Sequence, residues 1–312
     1  MAVAPALPKL CFGTMTFGSQ VAALDAHRML DFWADSGNTF IDTANIYNKG
    51  TSEEIVGTWL RGRQRNRVLL ATKVRGKMGD GPLDSGLSRA AIMKQIDDSL
   101  RRLRTDYVDI YYLHMPDPAV PVDESLEALD ELRRVGKIRY PAASNYAAWQ
   151  MVEMRYIAER RNFAPITVTQ PMYNVMTRAI EAEFLPMCKK FGIRTCAYNP
   201  LAGGLLTGKH QEKPATGTRF DGNQMYLDRY WKPGMFAAVE KLRATGRPLV
   251  SLALNWLIHH SQTDSIILGA SKMEQLEANL NAANDGPLDE ATLKVCEEVW
   301  TELKGEVPQY NR

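Results

Sequence analysis

The sequence predicts an α/β protein, a (β/α)8 barrel forming a single domain over residues 1–312, with a long loop after strand seven and a C-terminal helix and tail. Three observations predict it. Short apolar runs alternate with amphipathic helical patterns along nearly the whole chain, as parallel strands joined by helical crossovers require. The alternation repeats eight times in 312 residues, which suits a closed barrel better than the structural alternative, an open doubly wound sheet. The opening GTMTFG has the wrong glycine spacing for the G-x-G-x-x-G that follows the first strand of a dinucleotide-binding unit.

In chain order, Leu10–Gly13 reads as the first strand and Leu24–Ser36 as the first helix. Thr39–Asp42 is the second strand, and helical Ser52–Arg61 leads to Arg67–Val74, whose core VLLATKV reads as a strand buried on both faces. Helix Ser88–Leu103 leads to YVDIYYLH, helix Glu124–Val135 to KIRYPAAS, and helix Ala147–Arg161 to Ile166–Gln170. Helix Glu181–Lys190 precedes IRTCAY, helix Leu249–His260 precedes SIILG, and Lys272–Ala282 follows as a helix. The connection from Gly203 to Pro233 is too long for an ordinary loop and reads as a lid or binding element.

Composition narrows the function classes. The net charge is 38 − 36 = +2, so no excess positive field attracts nucleic acid or an anionic membrane. MAVAPALPKL lacks the regions of a secretory signal, and no apolar run reaches membrane-span length, so a soluble cytoplasmic protein is expected. Cys11, Cys188, Cys196 and Cys296 form no C-x-x-C pair and suit reduced thiols. No His and Cys cluster has zinc spacing, so no metal is expected.

In such a barrel the site lies at the C-terminal strand ends. Strand two ends in Asp42 with Tyr47 five residues on, strand three near Lys73, and strand four in His114. Alone, each has an ordinary structural explanation: a turn former, a solvated lysine, a satisfied histidine. Together they make a proton-delivery device. A tyrosine titrating near 10 needs a neighbouring cation to act as a general acid at neutral pH, so Lys73 is expected to lower the Tyr47 phenol while Asp42 keeps the ammonium charged. His114 would then donate a hydrogen bond to a substrate oxygen, and a carbonyl is the implied target. No side chain transfers hydride, so the reducing equivalent must come from a cofactor, for which a nicotinamide is the candidate. Ser144, Asn145 and Gln170 suit its carboxamide, and Tyr198 offers a stacking ring. After strand eight, GASKMEQLEANL sets a Ser, a Lys and a helix start together, a seat for phosphate. Residues 203–210, GGLLTGKH, match part of a P-loop, but His210 replaces the required Ser or Thr.

The segments GTMTFG, FIDTANIY, GTSEEIVG, LLATKV, SLRRLRTDYVDIYYLH, GKIRYPAASNY, AYNPLAGGLLTGK and ILGASKMEQLEANL resemble, in order and over essentially the whole chain, the aldo-keto reductases, NAD(P)H-dependent carbonyl reductases on a (β/α)8 barrel. That resemblance implies that Asp42, Tyr47, Lys73 and His114 are the catalytic tetrad, with Tyr47 as acid and Tyr47 and His114 also touching substrate. It implies cofactor contacts from Met15, Asp42, Ser144, Asn145, Gln170, Tyr198, Asn199, Pro200, Leu201, Gly203, Lys209, Gly269, Ser271, Lys272, Gln275 and Asn279. Lys272 at the adenosine end favours NADPH over NADH. Pro141-Ala142 and Leu268 depart from the family pattern without touching the tetrad.

The segments QPMYNVMTRAIEAEFLPMCKKFGIRTCAYNPLAGGLLTGK, RYWKP and GPLD…VPQYNR resemble the aflatoxin-aldehyde and succinic-semialdehyde reductase branch, which recognises carboxylated aldehydes partly through arginines. The matching positions are Arg229 and Arg312, and branch members are often homodimers. The expected activity is NADPH-dependent reduction of aldehydes, with ketones and dicarbonyls as further substrates. Two other functions compete: a regulatory subunit that binds NADPH with little turnover, and a Schiff-base enzyme using Lys73, against which Asp42 speaks by favouring the charged amine.

Overall fold

The computed structural model describes residues 4–210, 214 and 216–305. Eight parallel strands close on themselves in sequence order: β1 (Leu10–Gly13), β2 (Phe40–Asp42), β3 (Leu69–Val74), β4 (Val108–Leu113), β5 (Ile138–Ser144), β6 (Val168–Gln170), β7 (Arg194–Ala197) and β8 (Ser265–Gly269). The barrel closes where β8 pairs with β1, from Leu10 opposite Ile266 to Gly13 opposite Gly269. The closed barrel is the predicted architecture. Eleven helices accompany it among the described residues: α1 (Ala23–Asp35), α2 (Thr51–Leu60), α3 (Arg89–Leu103), α4 (Val122–Arg134), α5 (Ala148–Arg161), α6 (Phe184–Phe191), α7 (Gln224–Tyr230), α8 (Pro233–Arg243), α9 (Leu249–Asn255), α10 (Met273–Ala283) and α11 (Glu290–Lys304).

Alternation along each strand divides its side chains between two apolar regions. On β4, Ile110 and Tyr112 join Cys11, Phe40, Ala71, Ala142, Val168 and Cys196 in one cluster that fills the barrel. Tyr111 and Leu113 join the larger cluster beneath the helices. All six β4 residues are buried, which explains why the strand reads as an apolar run rather than an alternation. The four cysteines are buried and unpaired, two of them inside the barrel.

The GTSEEIVG segment ties the β2 side of the barrel to its neighbours. Ser52 Oγ donates to Thr14 O (2.9 Å) and lies 3.0 Å from Thr43 Oγ1. Glu53, wholly buried, accepts Thr72 Oγ1 (2.6 Å) and Arg102 Nε (2.7 Å), joining α2 to β3 and α3. Gly57 is required by close approach: a Cβ there would lie 2.1 Å from the Arg102 carbonyl oxygen.

Three elements differ from the sequence expectation. The helix expected over 181–190 starts only at Phe184, after a 3-10 turn at Ala179–Glu181. Glu181 is drawn aside by Arg178 (2.8 Å) and by the Tyr173 hydroxyl (2.6 Å). The helix expected over 249–260 is α9 followed by a π-helical turn at Trp256–His260. Asn255 sits at the change, its Nδ2 donating to Ser251 O (2.9 Å) and across to Ala282 O (2.6 Å).

The third difference is the 203–233 connection, which holds a 3-10 turn at Ala202–Thr207, the short α7, and the start of α8. Tyr226 and Tyr230, four apart on α7, are both buried against the barrel. The Tyr226 hydroxyl donates to Asn199 Oδ1 (3.3 Å), while Asn199 Nδ2 donates to the Tyr230 oxygen (3.4 Å). Among the described residues no helix is long and apolar enough to cross a membrane, and no cluster of potential ligands could hold a metal.

Candidate active site

The tetrad residues meet at the C-terminal end of the barrel. Asp42 is the last residue of β2, and Lys73, fully buried, is the fifth of β3. Tyr47 opens a 3-10 turn a short loop beyond β2, fixed by Asn45 N donating to Lys73 O (3.2 Å) and Tyr47 N to Ala44 O (3.1 Å). His114 follows β4, its backbone N–H donating to Val74 O (3.0 Å).

Lys73 Nζ donates to three acceptors: Asp42 Oδ1, Thr43 O (2.8 Å) and the Tyr47 hydroxyl oxygen (3.3 Å). An ammonium has three N–H bonds, so each has a partner and no amine lone pair is left. Burial works against the charge, but the attraction of Asp42, helped by Tyr47, outweighs it and holds Lys73 above the ordinary lysine value. The other carboxylate oxygen of Asp42 accepts Gln170 Nε2 (3.0 Å).

The sequence expectation for Tyr47 needs correction. Burial pushes its phenol above the ordinary tyrosine value, and although Lys73 pulls downward, Asp42 adds to the rise and the net shift is upward. Tyr47 therefore holds its proton, while Lys73 is placed to stabilise the anion left when that proton is given up. His114 lies edge-on to it, ring centroids 6.1 Å apart. Burial, followed by the charges of Lys73 and Arg75, lowers His114 to about 3, so the imidazole is neutral and can donate a hydrogen bond without carrying charge.

The residues expected at the nicotinamide form a second linked set. Ser144 Oγ donates to Gln170 O (2.8 Å). Asn145, in the left-handed region at φ 63°, donates through Nδ2 to His114 O (2.9 Å) and accepts the Tyr198 hydroxyl at Oδ1 (2.7 Å). Tyr198 follows β7 half-buried; burial raises its phenol while the Arg229 guanidinium of α7 pulls the other way. Arg229 thus faces the site, whereas Arg312 lies outside the described residues. Met15 is partly exposed after β1.

The remaining cofactor candidates divide by exposure. Lys209, Lys272 and Gly269 are exposed, and Leu201 and Gly203 are half-buried. Pro200 is buried, and Asn199 and Asn279 turn their amides inward, Asn199 toward the two tyrosines of α7 and Asn279 toward Gly269 O (3.4 Å). Gln275 Oε1 accepts both Ser271 N (2.9 Å) and Ser271 Oγ (3.1 Å). The N-terminus of α10 has no side-chain cap, leaving its first amides free beside exposed Lys272, a donor set that fits an anionic phosphate. The GGLLTGKH segment is no P-loop: it forms the 3-10 turn, with Gly203 and Gly204 at φ 70° and 107°, and buries His210 against Phe220 and Trp231.

Sequence reading missed Arg219, Tyr226 and Arg75. Arg219 reaches over the end of β8, its Nη2 3.5 Å from where a Gly269 Cβ would stand. Its Cζ and that of Arg229 lie 5.5 and 5.9 Å from the Tyr226 ring centroid. The segment that carries them has no periodicity to reveal these directions; only its length marked it.

The model of the aldo/keto reductase family matches residues 9–301. The chain is 39% identical to human aldo-keto reductase family 7 member A3, covering 98% of each chain. It is 37% identical to mouse aflatoxin B1 aldehyde reductase member 2, covering 99% of this chain and 89% of the relative. It is 38% identical to human aflatoxin B1 aldehyde reductase member 4, covering 98% and 97%. The chain belongs to the aldo/keto reductase family and is an NAD(P)H-dependent oxidoreductase.

Proposed function

We propose that the protein reduces aldehydes to alcohols with NADPH, Tyr47 supplying the proton and His114 the hydrogen bond that orients the carbonyl. NADPH, when bound, supplies hydride from its nicotinamide C4. The observation that carries this reading is the three-acceptor arrangement of Lys73, because it leaves the phenol proton of Tyr47 free to be donated. As that proton leaves, the phenolate is met by an ammonium 3.3 Å away that Asp42 keeps charged. Neutral His114 donates to the oxygen as negative charge develops on it.

Ser144, Asn145 and Gln170 would hold the carboxamide, with the Tyr198 ring beside it. Arg219, Ser271 and Lys272 would hold the phosphates, and Lys272 at the uncapped start of α10 supports NADPH over NADH. Arg229 near Tyr198 supports a preference for carboxylated or dicarbonyl aldehydes, since a guanidinium binds a carboxylate through two parallel hydrogen bonds. The fully bonded Lys73 speaks against a Schiff-base mechanism, which needs a free amine.

A steady-state screen of NADPH and NADH against aliphatic, aromatic and carboxylated aldehydes tests the reading. Aldehyde-dependent loss of reduced-nicotinamide absorbance, faster with NADPH, is expected. Tight NADPH binding without turnover across the panel would instead support a regulatory role.

A further inference from the structure

We propose that Arg75 is a second anion-binding residue of the substrate pocket besides Arg229, gripping the carboxylate of a short-chain anionic aldehyde from the β3 side. The inference rests on the carbonyl-reductase reading and adds to it which group selects the substrate. Arg75 is the first residue beyond β3 and has φ 132°, a conformation that a residue with a Cβ rarely adopts. Such strain persists where the surroundings impose it, and it gathers at ligand-binding positions.

The surroundings here are the tetrad itself. Val74 O accepts the His114 N–H (3.0 Å), and Arg75 O accepts the Gly86 N–H (3.0 Å), so both neighbouring peptides are fixed. Gly76 presses on Ile46, the residue before Tyr47; a Cβ there would lie 2.5 Å from the Ile46 Cβ. Arg75 is thus held between the chain that carries Tyr47 and the chain that carries His114.

Among the described residues its side chain makes no hydrogen bond or ion pair. It is half-buried, its Nε is shielded from solvent, and that Nε has no hydrogen-bond partner. Among the described residues no carboxylate forms an ion pair with it. Asp117, the nearby acid, is taken by the backbone amides of Leu87 (2.9 Å) and Ala119 (3.3 Å). The titratable groups beside this position are His114 and Tyr146, both neutral, and the Asp117 carboxylate, and the guanidinium acts on both His114 and Tyr146. A shielded Nε without a partner is costly unless a ligand supplies one, and a planar carboxylate matches the paired donors of a guanidinium.

The test compares wild type with Arg75→Gly, whose glycine suits the backbone angle, and Arg75→Lys, which keeps the charge but loses the planar fork. The first readout is the ratio of kcat/KM for succinic semialdehyde over butanal, a neutral aldehyde of the same chain length. That ratio should fall at least about tenfold in Arg75→Gly, chiefly through KM, and less in Arg75→Lys. The second is succinate binding to the NADP+-loaded protein by calorimetry, which needs no turnover and should weaken at least about tenfold in Arg75→Gly. A ratio within twofold of wild type, an equal Kd, or no succinate binding by the wild type overturns the proposal. A wild-type protein that reduces neither aldehyde fails the reductase reading, while calorimetry still decides the role of Arg75.

Discussion

Lys73 has three N–H bonds and three acceptors, and from that match follow both the proposed chemistry and the local stability of the site. Removing the ammonium leaves the buried Asp42 carboxylate with Gln170 as its remaining side-chain donor. Lys73→Met is therefore expected to cost about 3–5 kcal/mol in urea unfolding, and Asp42→Asn in the same chain to restore part of it. A cost below about 1 kcal/mol would show that the pair is not the anchor described here. The convergence of Asp42, Tyr47, Lys73 and His114 was legible in the sequence because each stands at or just beyond a strand end, where strand position alone predicts a shared rim. The direction of the Tyr47 shift was not legible. It depends on how far burial outweighs Lys73, and burial is set by elements distant in the chain. Arg75 was hidden for a related reason, since a strand end reveals where the chain goes but not the φ at which it leaves.

At the scale of elements, the eight strands were legible from apolar runs, because strands covered on both faces must be apolar throughout. α7 was not, being seven residues whose position depends on Tyr226 and Tyr230 meeting Asn199 rather than on a periodic face. The glycines of the GTSEEIVG segment mark the closest approach of elements in the barrel wall. Gly57→Ala would force α2 away from the Arg102 carbonyl and disturb the Glu53 contacts behind β3. A loss of about 1–3 kcal/mol in thermal or urea unfolding is expected, as for other overpacked contacts. Unchanged stability would mean that the helix pair is looser than this packing implies.

For the whole molecule, the near-zero net charge means that an anionic cofactor would be attracted by local groups, with Lys209, Arg219 and Lys272 the proposed ones, rather than by an overall field. The pH dependence of stability also belongs to this scale. His114 binds its proton only near pH 3 in the folded chain but near 6.5 when unfolded, so the unfolded state holds more protons between those values. Stability should fall as pH drops below about 6.5, and the urea midpoint should fall less steeply in His114→Gln. Lys73 works oppositely: its raised value gives a contribution that is full below the unfolded lysine value of about 10.4 and fades only as pH rises through the folded one. It is therefore silent in acid. The proposed reduction turns on one proton, and Tyr47→Phe removes the hydroxyl that carries it while leaving the ring in place. NADPH should still bind to that variant, measured by fluorescence titration, while aldehyde reduction falls by about 10²–10⁴-fold. Full turnover in Tyr47→Phe would contradict it.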